Sequence, residues 1–206
     1  MNLWTAERSL SVVPEDHSQR GLVERAQRGD ADAFAQLVSS RLERSWRFVR
    51  AIGGDRIDAD EVVQEAFVLV WRDLPRLRDA DAFEPWLRAI LVHATRHSVR
   101  RAGQVRLIPI TTDVHPNPIE RGPTIRADSL PDPRPDPSTA LAGKDTLARA
   151  FSRLSIDQRT ILVLHYFEGY PLEFVADVIR RPLGTAKSRL HGARAALRAA
   201  LAAEDR

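Results

Sequence analysis

Eight of the 13 prolines in this 206-residue chain fall between Gly103 and Gly143. Proline fixes φ and lacks an amide hydrogen, so a run such as PDPRPDP neither continues a helix nor pairs as a central strand. A stretch of about forty such residues is too long for a structureless loop inside one compact domain. The sequence therefore predicts an N-terminal tail (1–20), one folded piece (21–102), a flexible proline-rich linker (103–143) and a second folded piece (144–206).

Both pieces carry helical periodicity, and no window alternates with period two between hairpin turns, so the predicted fold is all-α, two small helical domains. In the first piece, residues 21–28 form a short helix stopped by Gly29, after which Asp30 or Asp32 caps a longer one. Its apolar residues Phe34, Leu37, Val38, Leu42, Trp46 and Val49 recur at three- and four-residue steps up to Gly53 and Gly54. Asp58 and Glu61 have capping-box spacing ahead of a stripe of Val62, Val63, Ala66, Phe67, Val70 and Trp71. The opposite face holds Asp60, Glu61, Gln64 and Glu65, which on composition alone reads as a solvated acidic surface near a helix N-terminus.

A third helix follows the DLPRLRD turn, with Asp81 and Glu84 again at capping spacing and Pro85 in the first turn. Trp86, Leu87, Ile90, Leu91 and Ala94 are predicted to face inward. Ala89, His93, Arg96 and Arg100 line one edge, and Arg88, Thr95 and Val99 point outward. Five arginines and no carboxylate lie between Arg88 and Arg106. Such an edge suits a nucleic-acid backbone with unstacked bases, and it equally fits a solvated basic face.

The second piece resumes at Leu147, Phe151 and Leu154, and Ser155 with Gln158 gives another capping-box spacing. Ile161, Leu162, Leu164, His165 and Tyr166 lead to a stop at Gly169. Residues 172–198 then make two short amphipathic segments joined at Arg180-Arg181-Pro182, a helix-turn-helix. Leu172, Val175, Ala176 and Ile179 are buried in the first segment, and Ala186, Leu190, Ala193 and Leu197 in the second. The outward face carries Gly184, Lys187, Ser188 and His191, with Arg180, Arg181, Arg189, Arg194 and Arg198 around it and no acidic residue from Arg180 to Arg198. Cations for phosphates and short polar groups for base edges are what a helix entering the major groove presents.

Catalytic chemistry finds little footing. With no cysteine, disulfides, thiolate metal sites and thiol redox switches within the chain are excluded, which fits a reducing cytoplasm. His93 and His97 are spaced i, i+4, yet HATRH lacks the glutamate of a zinc protease motif and a third ligand, so no metal site is expected. Neither a glycine-rich phosphate loop nor an orienting carboxylate for Ser188 and His191 is present, so no cofactor and no catalytic residues are expected. The start of the chain lacks the pattern of a secretory signal, and no apolar run approaches about 18 residues, so a cytoplasmic protein without membrane insertion is expected. The net charge of +3 is modest, and the local clusters of arginine point to a polyanion partner.

The order of these features resembles one family, the extracytoplasmic-function group of the bacterial sigma-70 factors. DADEVVQEAFVLVW (58–71) is similar to the family's acidic helix, and FEPWLRAILVHATRHSVRR (83–101) to its promoter-reading helix. LSIDQRTILVLHYFEGYPLEFVADVIRRPLGTAKSRLHGARAAL (154–197) is similar to its C-terminal domain. The resemblance covers about residues 21–102 and 144–198. It implies a non-enzymatic initiation subunit that joins core RNA polymerase, recognises the minus-ten and minus-thirty-five elements of promoter DNA and helps open the duplex. The implied polymerase contacts are Asp60, Glu61, Gln64 and Glu65 on the clamp helices of the largest subunit, with a further contact to the flap. Strand opening falls to the loop 73–81 and the following helix, with His93, Arg96, Arg100 and Arg101 at the minus-ten element. Arg181, Thr185, Lys187, Ser188, Arg189, His191 and Arg194 are implied at the minus-thirty-five element. An anti-sigma factor is a further possible partner. The sequence departs from the family pattern at His93 for Asn, His97 for Asp, Arg180 for the turn glycine and Ala186 for Val. The alternative is a helix-turn-helix regulator that binds DNA independently of polymerase.

Overall fold

The computed structural model describes residues 19–104 and 146–204, and among these residues every regular element is helical. Most of the predicted tail and linker therefore lies outside the described residues. The first unit contains α1 (Gln19–Gln27), α2 (Ala31–Gly53), α3 (Ala59–Asp73) and α4 (Phe83–Gln104). Asp30 is the cap of α2, its carboxylate accepting from the amides of Asp32 and Ala33. Asp58 caps α3 in the same way through the amides of Asp60 and Glu61. Each carboxylate satisfies amides that no carbonyl of the helix can reach. The box predicted at Asp58 and Glu61 stays half made, because Glu61 turns away to Arg101. That predicted at Asp81 and Glu84 does not form: Asp81 pairs with Arg20 and Glu84 with Arg41.

α2 lies against α1, α3 and α4. Leu37, Val49, Ile52, Leu74, Phe83, Leu87 and Leu91 are all fully buried in the core, each contributing about 1.5–3 kcal/mol of apolar transfer. Two residues assigned inward by periodicity are half-exposed, Leu42 and Trp46, while Ser45, Phe48 and Ile52 are buried. The burial stripe is rotated because α2 also touches α6 of the second unit. The outward placement of Arg88 and Thr95 is overturned as well, both being buried, Arg88 against Glu168 of the second unit and Thr95 against Gly53 of α2. Thr95 returns its hydroxyl to the carbonyl of Leu91 at 2.7 Å, and its methyl lies where a side chain on Gly53 would fall. Trp71, predicted inward, is 41% exposed, with its ring 4.7 Å from that of Phe34.

The second unit contains α5 (helical residues 146–152), α6 (Ile156–Leu162) running into a π-helical turn (Val163–Phe167), α7 (Leu172–Val178) and α8 (Leu183–Glu204). Ser155 and Gln158 close both halves of the predicted capping box. Between α7 and α8, Arg180 adopts φ 54°, the one non-glycine residue with positive φ among the described residues. The amide of Arg181 reaches the Ala176 carbonyl at 2.9 Å and that of Arg180 reaches Asp177 at 3.0 Å, a Schellman ending with arginine where glycine is usual. Left-handed backbone costs a side-chain-bearing residue about 1–2 kcal/mol. Glycine relieves that strain but frees the unfolded chain. Arg180→Gly is therefore expected to raise unfolding stability by up to about 1 kcal/mol in chemical denaturation.

Candidate nucleic-acid interface

The acidic face of α3 is solvent-facing, with Asp60, Glu61 and Gln64 exposed and Glu65 half-buried. Val68, 67% exposed, and Trp71 share that face, since residues three and four apart stack on one side of a helix. The face therefore combines carboxylates with unpartnered apolar surface, a mixture that solvation alone does not call for. Glu61 accepts from Arg101 of α4 at 2.6 Å, both side chains being about half exposed. That pair joins one residue assigned to polymerase with one assigned to DNA.

The loop before α4 is held by Gln27, whose amide nitrogen donates to the carbonyls of Leu77 at 2.6 Å and Leu74 at 3.3 Å. On α4 the assigned residues separate: Arg100 and Arg101 are exposed, while His93 and Arg96 are half-buried. Burial, reinforced by the charges of Arg180, Arg96 and Arg100, pushes the His93 imidazole down to about 4. Its buried Nε2 has no hydrogen-bond partner within the described residues. His97, one turn along, is exposed, and the described residues contain no group of three or more possible metal ligands.

The outward side of α8 is as the periodicity places it: Gly184, Lys187, Ser188 and His191 are exposed, as are Arg181 and Arg194. Thr185 and Arg189 are half-buried. Ser188 donates to the carbonyl of Thr185 at 3.0 Å, leaving its oxygen free to accept. Arg189 is held by Asp157, which also holds Arg96. The two basic surfaces thus meet at one carboxylate, and the α3 face stands apart except through the Glu61–Arg101 pair.

Sequence reasoning missed Asp157, Arg159 and Glu168, the second unit's contributions to this meeting. Asp157 stood in the sequence as an ordinary first-turn acid of α6, and nothing in local pattern marks a carboxylate whose partners lie 61 and 32 residues away.

Residues 37–105 match Sigma-70 region 2 and residues 144–197 match Sigma-70 region 4. The chain is 33% identical to the RNA polymerase sigma-H factor of Pseudomonas aeruginosa, over 92% of this chain and 96% of that one. It is 30% identical to the ECF sigma factor SigE of Mycolicibacterium smegmatis, over 82% of this chain and 62% of the relative. The ECF sigma-E factor of Escherichia coli is 27% identical, over 90% and 95% of the two chains. Among solved structures, CnrH in complex with the cytosolic domain of CnrY is similar at TM-score 0.56 and 25% identity, covering 90% of this chain and 97% of that one. The sigma factor RpoE of Bartonella quintana, solved with the anti-sigma factor NepR, shares the fold at TM-score 0.56 and 22% identity, covering 82% of this chain and 96% of that one.

Proposed function

We propose a division of labour for this chain, which belongs to the extracytoplasmic-function group of the bacterial sigma-70 family: residues 21–102 dock on core RNA polymerase and read the minus-ten element, residues 103–143 tether, and residues 144–206 read the minus-thirty-five element. The reading is carried by one observation, a basic reading helix in each of two helical units, one of which also bears an exposed acidic and apolar face. Asp60, Glu61, Gln64 and Glu65 dock on the clamp helices, with Val68 and Trp71 supplying apolar contact. Charge there sets encounter and register more than affinity. Exposed Tyr166 and Phe167 offer the flap an apolar contact on the second unit.

His93, Arg96, Arg100 and Arg101 neutralise and hold the strand that leaves the duplex, and the bases unstacked there are caught without a chemical step. The chain acts as a cytoplasmic initiation subunit without a catalytic site of its own. No described helix is long and apolar enough to cross a membrane. An anti-sigma factor that seats on either unit would compete with polymerase or DNA.

On α8, Lys187, Ser188, Arg189 and His191 contact base edges or phosphates at the major groove, with Arg181, Thr185 and Arg194 on phosphates. Lys187→Ala is expected to weaken promoter binding by the holoenzyme and to reduce the slope of log affinity against log salt by about 1. An unchanged slope removes Lys187 from the phosphate contacts. The assignment as a whole is tested by footprinting: protection of both elements is expected with core polymerase present, and tight protection of a palindrome by the chain alone would favour an independent regulator.

A further inference from the structure

The loop that joins α3 to α4 contains two short 3-10 turns, Leu74–Arg76 and Ala80–Ala82, with Leu77 extended between them at φ −68° and ψ 113°. Turns this short leave carbonyls that no following amide of the loop can serve. Asp73, its side chain 9% exposed, accepts from Arg72 at 2.8 Å and from Arg76 at 3.3 Å. Leu74 and Ala80 are buried, whereas Pro75, Arg76, Arg78 and Asp79 are exposed. The loop is thus anchored at both ends and presents a polar tip to solvent.

Support from outside the loop comes from α1, which lies against both turns and buries Val23 and Ala26. Gln27, the last residue of α1, donates to the carbonyl of Leu77 at 2.6 Å and to that of Leu74 at 3.3 Å. A side-chain amide nitrogen carries two hydrogens, so one group can serve both carbonyls. The glutamine is half-buried, which limits competition from water. At the far end of the loop Arg20 meets Asp81 at 3.1 Å, with side chains 59% and 64% exposed. An ion pair so open to solvent adds little. Gln27 is therefore the stronger of the two braces, and it stands ahead of residues 37–105, which match Sigma-70 region 2.

We propose that Gln27 is a positioning residue for promoter opening: its amide fixes the backbone from Leu74 to Leu77, so that the loop meets an unstacked minus-ten base already in its receiving shape. The proposal rests on the strand-opening role of residues 73–81 in the reading above. A loop that has to be ordered during binding draws that entropy from affinity, and a preformed one does not. The benefit of Gln27 is confined to DNA that offers a base to be caught.

Gln27→Met keeps the length and the apolar stem of the side chain and removes both N–H groups. Hydrogen exchange of the loop amides in the full chain is expected to quicken at least about fivefold in this variant, since local opening sets that rate. Holoenzyme is then titrated onto a promoter recovered by chain-dependent transcription, and onto copies carrying one abasic site at each minus-ten position of the non-template strand. For the parent, one abasic position is expected to cost at least about tenfold in affinity, the order of a lost base stack. Gln27→Met is expected to weaken binding to the intact promoter about tenfold, the order of a lost hydrogen bond or two. On the critical abasic copy its loss shrinks below about twofold, because the base it helps to place is gone. Arg20→Ala is expected to change binding to the intact promoter by less than about twofold. Unchanged exchange, unchanged binding to the intact promoter, or an equal loss on every template overturns the positioning role. A parent indifferent to every abasic position overturns the strand-opening reading itself, and the proposal with it.

Discussion

Glu65→Lys together with Val68→Asp is expected to lower affinity for core RNA polymerase by at least about 100-fold, equivalent to about 2.7 kcal/mol. Val68 is 67% exposed and Glu65 lies one turn before it on α3, so neither substitution removes a core contact. Substitutions at such positions change folding stability by about 0.5 kcal/mol or less. In the proposed docking the effect is larger, because one change reverses the sign of a contact charge and the other places a charge in an apolar contact. Sedimentation or fluorescence titration with core enzyme reads the affinity, and thermal unfolding reads the fold. A variant that still binds core enzyme as the parent does would remove the α3 face from the docking surface.

The second large effect is a pH dependence centred on His93. Its folded-state value of about 4, set chiefly by burial and then by Arg180, Arg96 and Arg100, lies below the ordinary 6.5. A histidine depressed in this way is neutral in the folded chain and takes up its proton more readily when released. The stability it preserves is fully present above pH 6.5 and is lost as the pH falls through 6.5 toward 4. Between pH 7.5 and pH 5 the loss amounts to up to about 2 kcal/mol, reduced by whatever solvent reaches the ring. Equilibrium unfolding of the parent and of His93→Asn at both pH values isolates this contribution, because other titrating groups act on both proteins alike. The parent is expected to lose more stability than the variant. Equal losses would show that His93 is not held neutral.

Features encoded locally were legible in the sequence. Ser155 and Gln158 close a capping box because both partners lie within one helical turn. The outward set on α8 follows from the 100° step alone, which is why Lys187, Ser188 and His191 stand where they were expected. Long-range packing was not legible. Arg88 falls on the polar side of α4 by periodicity, and Glu168, eighty residues away, supplies the carboxylate that pairs with it where it is buried. Leu42, Trp46 and Trp71 read as core because apolar residues at helical spacing normally are, yet the packing of α2 and α3 leaves them 48%, 39% and 41% exposed. Arg180 was visible as a departure from the turn glycine. The Schellman bonds show how the departure is absorbed: the backbone takes the left-handed conformation and the turn is retained.

The central claim is that this chain makes core RNA polymerase initiate at promoters that core enzyme alone ignores. Reconstitution of the full chain with core enzyme on a library of bacterial promoter fragments, with transcript starts mapped by sequencing, tests it most directly. The account predicts chain-dependent starts downstream of one shared pair of elements, lost with Glu65→Lys/Val68→Asp. Chain-independent starts, or failure of the chain to associate with core enzyme, would contradict it.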